Sequence, residues 1–399
     1  MGTSLTLFRI RGIAVKVHWS FVLILVYGAV IYGGRSESLI VSALYGVLVT
    51  LLLFLCVTLH EFGHAVVARI FGIRVPSIIL LPIGGLANLE KMPEKPSQEF
   101  FIAIAGPIVN IVLAILLVPM AWVAMGVESG FGSPMPGIRQ LRSEMLDPGV
   151  LNLIVFLIST NLLLAFFNLL PAFPMDGGRI LRSLLAMTIS YVTATRIAVY
   201  VGRGMAVLFA VVGIFGCGIF LLLIAFFVYV GGGAEREAVE HRSVLRDVPV
   251  SRALHADAVR LYTSERVGRA VTLVMESYQS DFPVLDLSGQ FAGVLTQAAL
   301  ITAMRDHGQE GRIVDVMVPA AQVPVCNPRV DLATVWETMA RDGSRVVAIL
   351  DGPHFVGLIT SDDITRMIHL ARATHRNRDQ QRLDGSTPPP PEPRDNARV

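Results

Sequence analysis

The chain has 399 residues, 53% of them hydrophobic and only 16% charged, with a mean hydropathy of +0.61. Soluble domains carry about 25% charged residues, so an entirely soluble fold is excluded. The net charge of +2 divides into a basic segment, residues 1–232 at net +5, and an acidic remainder at net −3. Neither part has the basic stripe that binding to nucleic acid demands.

Charge-free stretches cover 17–34, 38–59, 100–127, 148–175 and 204–234, each about as long as a membrane-spanning helix or longer. No short apolar segment ending in a small-residue cleavage site opens the chain, so the first stretch is expected to be a retained span. The pattern predicts helices near 17–34, 41–66, 99–126 and 150–170. The apolar region 192–231, as one helix, would be about twice the hydrocarbon thickness. It is expected to divide at Gly213-Ile-Phe-Gly216-Cys-Gly218. The reading is a multi-pass α-helical membrane protein of about six transmembrane helices. Arg203 falls deep in the fifth span, where an Arg faces the bundle interior or snorkels.

Basic residues flank alternate span ends: Arg9, Arg11 and Lys16; Arg69, Arg74, Lys91 and Lys95; Arg179, Arg182 and Arg196. These segments are expected to be cytoplasmic, which makes both termini of this cell-membrane protein cytoplasmic. The intervening loop 127–149, with Arg139 and Arg142 balanced by Glu128, Glu144 and Asp147, is then external.

From about residue 240 the composition becomes that of soluble sequence. Two segments share one plan, an apolar strand-like run followed by Gly-apolar-apolar-Thr and a short helical pattern, and an internal repeat is the simplest account. The expected organisation is a transmembrane domain over 1–232, a linker over 233–245, repeats of an α/β module over 246–307 and 313–372, and a disordered tail over 376–399 containing Pro388 to Pro391. Cys56, Cys217 and Cys326 form no spacing pattern for disulfides or metal and read as small buried hydrophobes.

The strongest chemical signal is His60-Glu61-Phe62-Gly63-His64. Histidines four apart share one helix face, so both imidazoles can bind one metal ion while the intervening Glu activates water. Ionisable groups at the end of an uncharged helix are costly unless paired, ligated or wet. A catalytic zinc needs a third protein ligand. The candidate is Asp176, in Asn168-Leu-Leu-Pro171-Ala-Phe-Pro174-Met-Asp176-Gly-Gly-Arg179. The prolines and glycines there break the fourth span, and such backbone is tolerated at membrane depth only where it lines a cavity. Spans two and four run in the same direction, so their ends lie at similar depth.

Together these motifs resemble the site-2 protease family of intramembrane zinc metalloproteases, peptidase family M50, over roughly residues 10–230. The resemblance implies one Zn2+ held by His60, His64 and Asp176, Glu61 as general base, and Asn168 as a polar group near the scissile bond. Pro82-Ile-Gly84-Gly85-Leu-Ala-Asn88 follows a strand-like run, Val75 to Leu81, and also fits the family. An exposed edge there could pair with unwound substrate at Gly84 and Gly85, or the glycines could be a plain turn. Gly106-Pro107-Ile-Val-Asn110 reads as close helix packing. The expected substrates are single-span membrane proteins such as anti-sigma factors, cut near the cytoplasmic side.

The repeats resemble a tandem pair of CBS domains, which commonly bind adenine nucleotides. Gly357, Thr360 and Asp363 fit the ribose-contacting Gly-x-x-Thr-x-x-Asp run, and Thr296 is its counterpart in the first repeat, where Ala299 replaces the acid. ATP or another adenine nucleotide is therefore an expected regulatory ligand, and a homodimer through the CBS domains an expected assembly. Two other readings compete: a CBS-gated ion channel or transporter, which should show inverted repeats with matched broken helices, and a zinc-binding membrane scaffold without activity.

Overall fold

Where long stretches carry no charge, the backbone can satisfy its hydrogen bonds in lipid only within itself, and helices follow. The computed structural model describes residues 4–33, 38–82, 84–88, 93, 95–129, 148–246, 248–254, 258–277 and 279–370. The expected external loop beyond 129 and the expected disordered tail lie outside the described residues. The chain divides into two compact units, Met1–Glu237 and Ala238–Val399.

The first unit opens with strands β1 (Ser4–Ile10) and β2 (Ile13–His18), antiparallel about a turn in which Arg11 and Gly12 take positive φ, the conformation of tight hairpins. Helix α1 (Phe21–Tyr32) follows. The expected first span over 17–34 is thus a strand to His18 and a 12-residue helix, about 18 Å long against roughly 30 Å of hydrocarbon. The physical reason is pairing: Val15 and Val17 alternate toward a parallel partner strand instead of extending the helix.

Helices α2 (Leu39–Ile70), α3 (Pro96–Ser129) and α4 (Val150–Leu169) form the centre of the unit. A Cβ on Gly28 would overlap Thr50 Oγ1, and one on Gly63 would sit 2.9 Å from the Ala105 carbonyl oxygen, so small residues let α1 and α3 approach α2 closely. Tyr45 donates to the Gly149 carbonyl at 3.2 Å and Asn161 reaches Cys56 at 3.3 Å. The matching offsets show α2 and α4 running parallel. Then come α5 (Asp176–Ala186), α6 (Tyr191–Val212) and α7 (Ile219–Leu245). The break between α6 and α7 spans Gly213–Cys217, where the glycines predicted a turn, and Gly218 takes φ +83°. Helix α7 continues through 233–245, the segment expected as a linker. Among the described residues, five helices are long and apolar enough to cross a membrane, α2, α3, α4, α6 and α7, and α1 is a shorter apolar helix.

Strands β3 (Ser77–Leu81) and β4 (Gly84–Asn88) complete a four-stranded sheet of order β1-β2-β3-β4. Ile13, Val15, Ile78 and Leu80 bury against Ala65 and Ala68 of α2 and Ile102 of α3. The sheet is therefore fastened to the end of α2 that carries the histidines, and β4 is its edge.

In the second unit the first sheet is β5 (Leu261–Tyr262), β6 (Phe282–Leu285), β7 (Phe291–Leu295) and β8 (Val318–Pro319), with α8 (Val267–Glu276), α9 (Gln297–Asp306) and the short α10 (Ile313–Val316). The second is β9 (Val325–Cys326), β10 (Val346–Asp351) and β11 (His354–Thr360), with α11 (Leu332–Asp342) and a helix α12 over 361–370. The two halves exchange their leading segments. Leu245, Val250 and Ala253 bury in the core of the second repeat, and Ile313 in that of the first.

Candidate metal centre

His60 and His64 stand one helical turn apart on α2 and are both buried. Asp176 is the first residue of α5, where helix geometry favours a carboxylate. A tight return of the chain puts it there. A Cβ on Gly177 would overlap the Leu170 carbonyl, and one on Gly178 would lie 2.7 Å from the Phe173 nitrogen. His60 Nε2 and His64 Nε2 are 3.1 Å apart, and each is 3.2 Å from Asp176 Oδ2.

The tautomers follow from the partners. His64 Nδ1 faces the Ile102 carbonyl at 2.7 Å, which can only accept, so Nδ1 carries the proton. For His60 the assignment runs through a relay. Asn161 Nδ2 donates to the Leu157 carbonyl at 2.8 Å, leaving Asn161 Oδ1 to accept from Asn110 Nδ2 at 2.7 Å, so Asn110 Oδ1 faces His60 Nδ1. Both Nε2 lone pairs thus point at one another and at a carboxylate oxygen that has no hydrogen-bond donor among the described residues. Three electron-rich atoms converging in a buried place repel unless a cation sits between them. Zinc bonds of about 2.0–2.1 Å at tetrahedral angles separate ligands by about 3.3 Å, which matches the triangle found. His60, His64 and Asp176 also form a group able to hold a metal ion. The residues fit zinc.

Gly106 explains how the rings fit. A Cβ there would overlap the His64 ring and lie 2.7 Å from His60 Cε1. The Gly106-Pro107 motif, read from sequence as helix packing, is in this structure the wall against which both imidazoles rest.

Glu61 points toward the sheet. Its Oε2 accepts from the Ala87 amide at 3.2 Å, and a Cβ on Gly85 would lie 2.5 Å from its Cγ. The structure therefore brings Glu61 to Gly85 and Ala87 of β4, while a Cβ on Gly84 would meet nothing within 4 Å. Asn168 is half-buried in the last turn of α4 and, among the described residues, makes no hydrogen bond to His60, Glu61, His64 or Asp176. Asn110 and Asn161, which orient His60, were not singled out as functional. Their signal was available: asparagines deep in apolar helices are costly without partners.

Arg203 is half-buried on α6, its Cζ 5.1 Å over the Tyr229 ring of α7, and its Nε has no hydrogen-bond partner among the described residues. Arg182, one of the basic residues between the fourth and fifth expected spans, is 1% exposed and lies in an ion cluster. Cys56 and Cys326 are buried free thiols. Burial pushes the Cys326 thiol above its ordinary value.

In the second unit, Thr360 N and Oγ1 donate to Asp363 Oδ2 at 3.0 and 2.7 Å, and Asp363 N donates back to Thr360 Oγ1 at 3.3 Å. This is a reciprocal capping box at the start of α12. In the first repeat Thr296 Oγ1 accepts from Ala299 N at 3.2 Å, and Ala299 has no carboxylate to complete the box. Gly357 lies against Leu254, and a Cβ there would sit 2.6 Å from its Cδ2.

Comparison with known proteins shows the family. The model described as peptidase family M50 matches residues 48–212, and the CBS domain model matches 313–370. A zinc metalloprotease of Methanocaldococcus jannaschii is 30% identical over 370 residues, 93% of this chain and 97% of the relative. Stage IV sporulation protein FB of Bacillus subtilis is 32% identical over 148 residues, 37% of this chain and 43% of its own. The solved structure of a site-2 protease from Methanocaldococcus jannaschii aligns at 34% identity and TM-score 0.41, covering 59% of this chain and 95% of that one. The chain is a multi-pass membrane protein with a CBS module, and it belongs to peptidase family M50, the site-2-type zinc metalloproteases.

Proposed function

We propose that this protein cleaves single-span membrane proteins near the cytoplasmic side, with His60, His64 and Asp176 as zinc ligands and Glu61 as general base. The convergence of two Nε2 lone pairs and Asp176 Oδ2 on one point carries the reading. A zinc ion at that point supplies a Lewis acid that lowers the pKa of water toward about 7 and polarises a carbonyl.

The chain's own residues do the rest. Glu61 takes the proton from water and passes it to the leaving amine. Asn110 and the Ile102 carbonyl keep the imidazoles protonated at Nδ1, so Nε2 stays a donor of electrons. The outer edge of β4, apart from the Ala87 amide that Glu61 holds, offers main-chain groups to an unwound substrate segment. A helix hides its carbonyls in internal hydrogen bonds, so targets have helix-weakening residues near the cut, as membrane-bound regulators such as anti-sigma factors would. Asn168 contacts the substrate near the scissile bond.

The CBS pair, through Gly357, Thr360 and Asp363 with Thr296 in the first repeat, binds an adenine nucleotide such as ATP. Binding there shifts residues 232–245 and alters access to the metal site. The module also supports a homodimer. The termini face the cytoplasm.

Cleavage of a single-span reporter by wild type and by Glu61→Gln tests the core of this reading. The expected result is loss of cleavage with zinc retained, and loss of zinc in Asp176→Ala. Equal cleavage by wild type and E61Q, or no cleavage by zinc-loaded wild type, removes the catalytic assignment. Cleavage unchanged by ATP up to millimolar concentration removes the regulatory one.

A further inference from the structure

Outside the metal centre, the most buried charge in the first unit is Arg182, 1% exposed on α5, six residues after Asp176. Its Nε donates to Glu99 Oε1 at 2.9 Å, and Nη2 reaches the same oxygen. Its Nη1 donates to Glu235 Oε1 at 2.5 Å. The guanidinium lies 4.9 Å from the centroid of the Phe173 ring and 4.9 Å from that of the Tyr191 ring. One side chain thereby touches α3, the loop before Asp176, α6 and α7.

Two of those contacts lead directly to the ligands. Glu99 is three residues before Ile102, whose carbonyl holds His64 Nδ1, so fixing Glu99 fixes the turn of α3 that sets the His64 ring. Phe173, 1% exposed, is three residues before Asp176, so stacking on it fixes the return that presents the carboxylate. Asp176 and His64 come from elements far apart in sequence and have no covalent reason to meet. Arg182 spans the gap between them.

We infer that Arg182 is a positioning residue for the metal centre, holding the Asp176 segment and the Ile102 turn of α3 in the register that brings Asp176 Oδ2 to His64 Nε2. The assignment rests on the zinc site proposed above. A planar fork between two carboxylates and two rings sets orientation as well as charge, which an ammonium cannot reproduce. Groups that orient metal ligands are typically worth 10–100-fold in metal affinity.

The test uses the full chain in detergent, stripped of metal, as wild type, Arg182→Lys and Glu99→Gln. Zinc affinity is measured by chelator competition, and the metal-free fold by thermal unfolding. A side chain that serves only the fold would lower the metal-free transition and leave the zinc affinity of folded protein unchanged. The expected result is zinc binding about 10–100-fold weaker in both variants at a temperature where each is folded. Should either variant fail to fold, the charge-balanced pair Arg182→Gln with Glu99→Gln carries the same measurement. Zinc affinity within twofold of wild type in the folded variants overturns the inference. Wild type that binds no zinc overturns the metal-site reading itself, and the two failures are therefore distinct.

Discussion

The two units treat polar side chains in opposite ways. Among the described residues, the first buries twelve polar or charged side chains, His60, His64, Glu99, Asn110, Asn161 and Arg182 together with six serines and threonines, whereas the second buries only Thr338 and Asp363. In the first, the buried imidazole, amide, carboxylate and guanidinium groups answer one another across helices, with partners 38 to 105 residues away, while hydroxyls such as Thr50 and Thr58 bond back within their own helix. In the second, many polar pairs are local caps and turns such as Asp286 with Ser288 or Asp331 with Thr334, laid over apolar cores. Low dielectric and absent water make an unpaired polar group expensive in the first setting and cheap in the second. Substitutions should therefore change function in the membrane unit and stability in the CBS unit.

The sharpest challenge to that contrast is Gly106→Ala. One methyl has no room beside the His64 ring, so zinc is expected to be lost and cleavage with it, although alanine suits a helix better than glycine does. Zinc content of purified protein reads the outcome, and a variant with full zinc would mean the imidazoles are not held by this wall. Next comes Asn110→Ala. Removing the acceptor opposite His60 Nδ1 should weaken zinc by about 10–100-fold, measured by chelator competition. An unchanged affinity would show that the relay from Leu157 does not set the His60 tautomer.

The CBS unit should respond more mildly. Asp363→Ala breaks the capping box and is expected to cost about 1 kcal/mol of that unit's stability, together with loss of any melting shift induced by ATP. The reverse change, Ala299→Asp, should complete the box in the first repeat and raise stability by about 0.5–1 kcal/mol. Stability that falls with D363A while the ATP shift persists would separate the structural role of the motif from nucleotide binding.

The smallest effect concerns Asp281, whose carboxyl burial pushes above the ordinary aspartate value, with Gln297 N donating to Oδ1 at 3.0 Å and Asp362 and Asp363 nearby adding repulsion to the opposing pull of Arg345. The folded state therefore holds this proton at a pH where the unfolded chain has released it. Linkage then makes stability decline as pH rises past about 4, the unfolded aspartate value. Asp281→Asn should flatten that slope, as melting temperature against pH would register. An identical slope in the variant would assign it to other groups.

Much of the metal site was legible because its central signal is local. The spacing of His60 and His64 needs only a helix to become one face, and the proline and glycine punctuation before Asp176 needs only the rule that broken backbone in lipid lines a cavity. The division of the last apolar region at Gly213 to Gly218 was likewise written in residues that cannot continue a helix. The first span was misjudged for length, because the absence of charge between 17 and 34 says nothing of whether Val15 and Val17 find a parallel strand sixty residues away. The partners of Arg182 were hidden for the same cause. A basic residue between spans looks like a flanking charge until Glu99 and Glu235 arrive beside it.

What the amino-acid order determined alone was the membrane character, the helix that aligns two imidazoles, and the candidate third ligand. These follow from hydropathy, a period of 3.6 residues, and the conformational limits of glycine and proline, all of which act within a few residues. The tertiary structure decided that Gly106 makes room for the rings, that Asn110 and Ile102 face their Nδ1 atoms, and that Arg182 joins α3 to the loop before Asp176. Those facts depend on which helix faces come together, and that is settled by packing over the whole unit and by the need of each buried polar group for a partner.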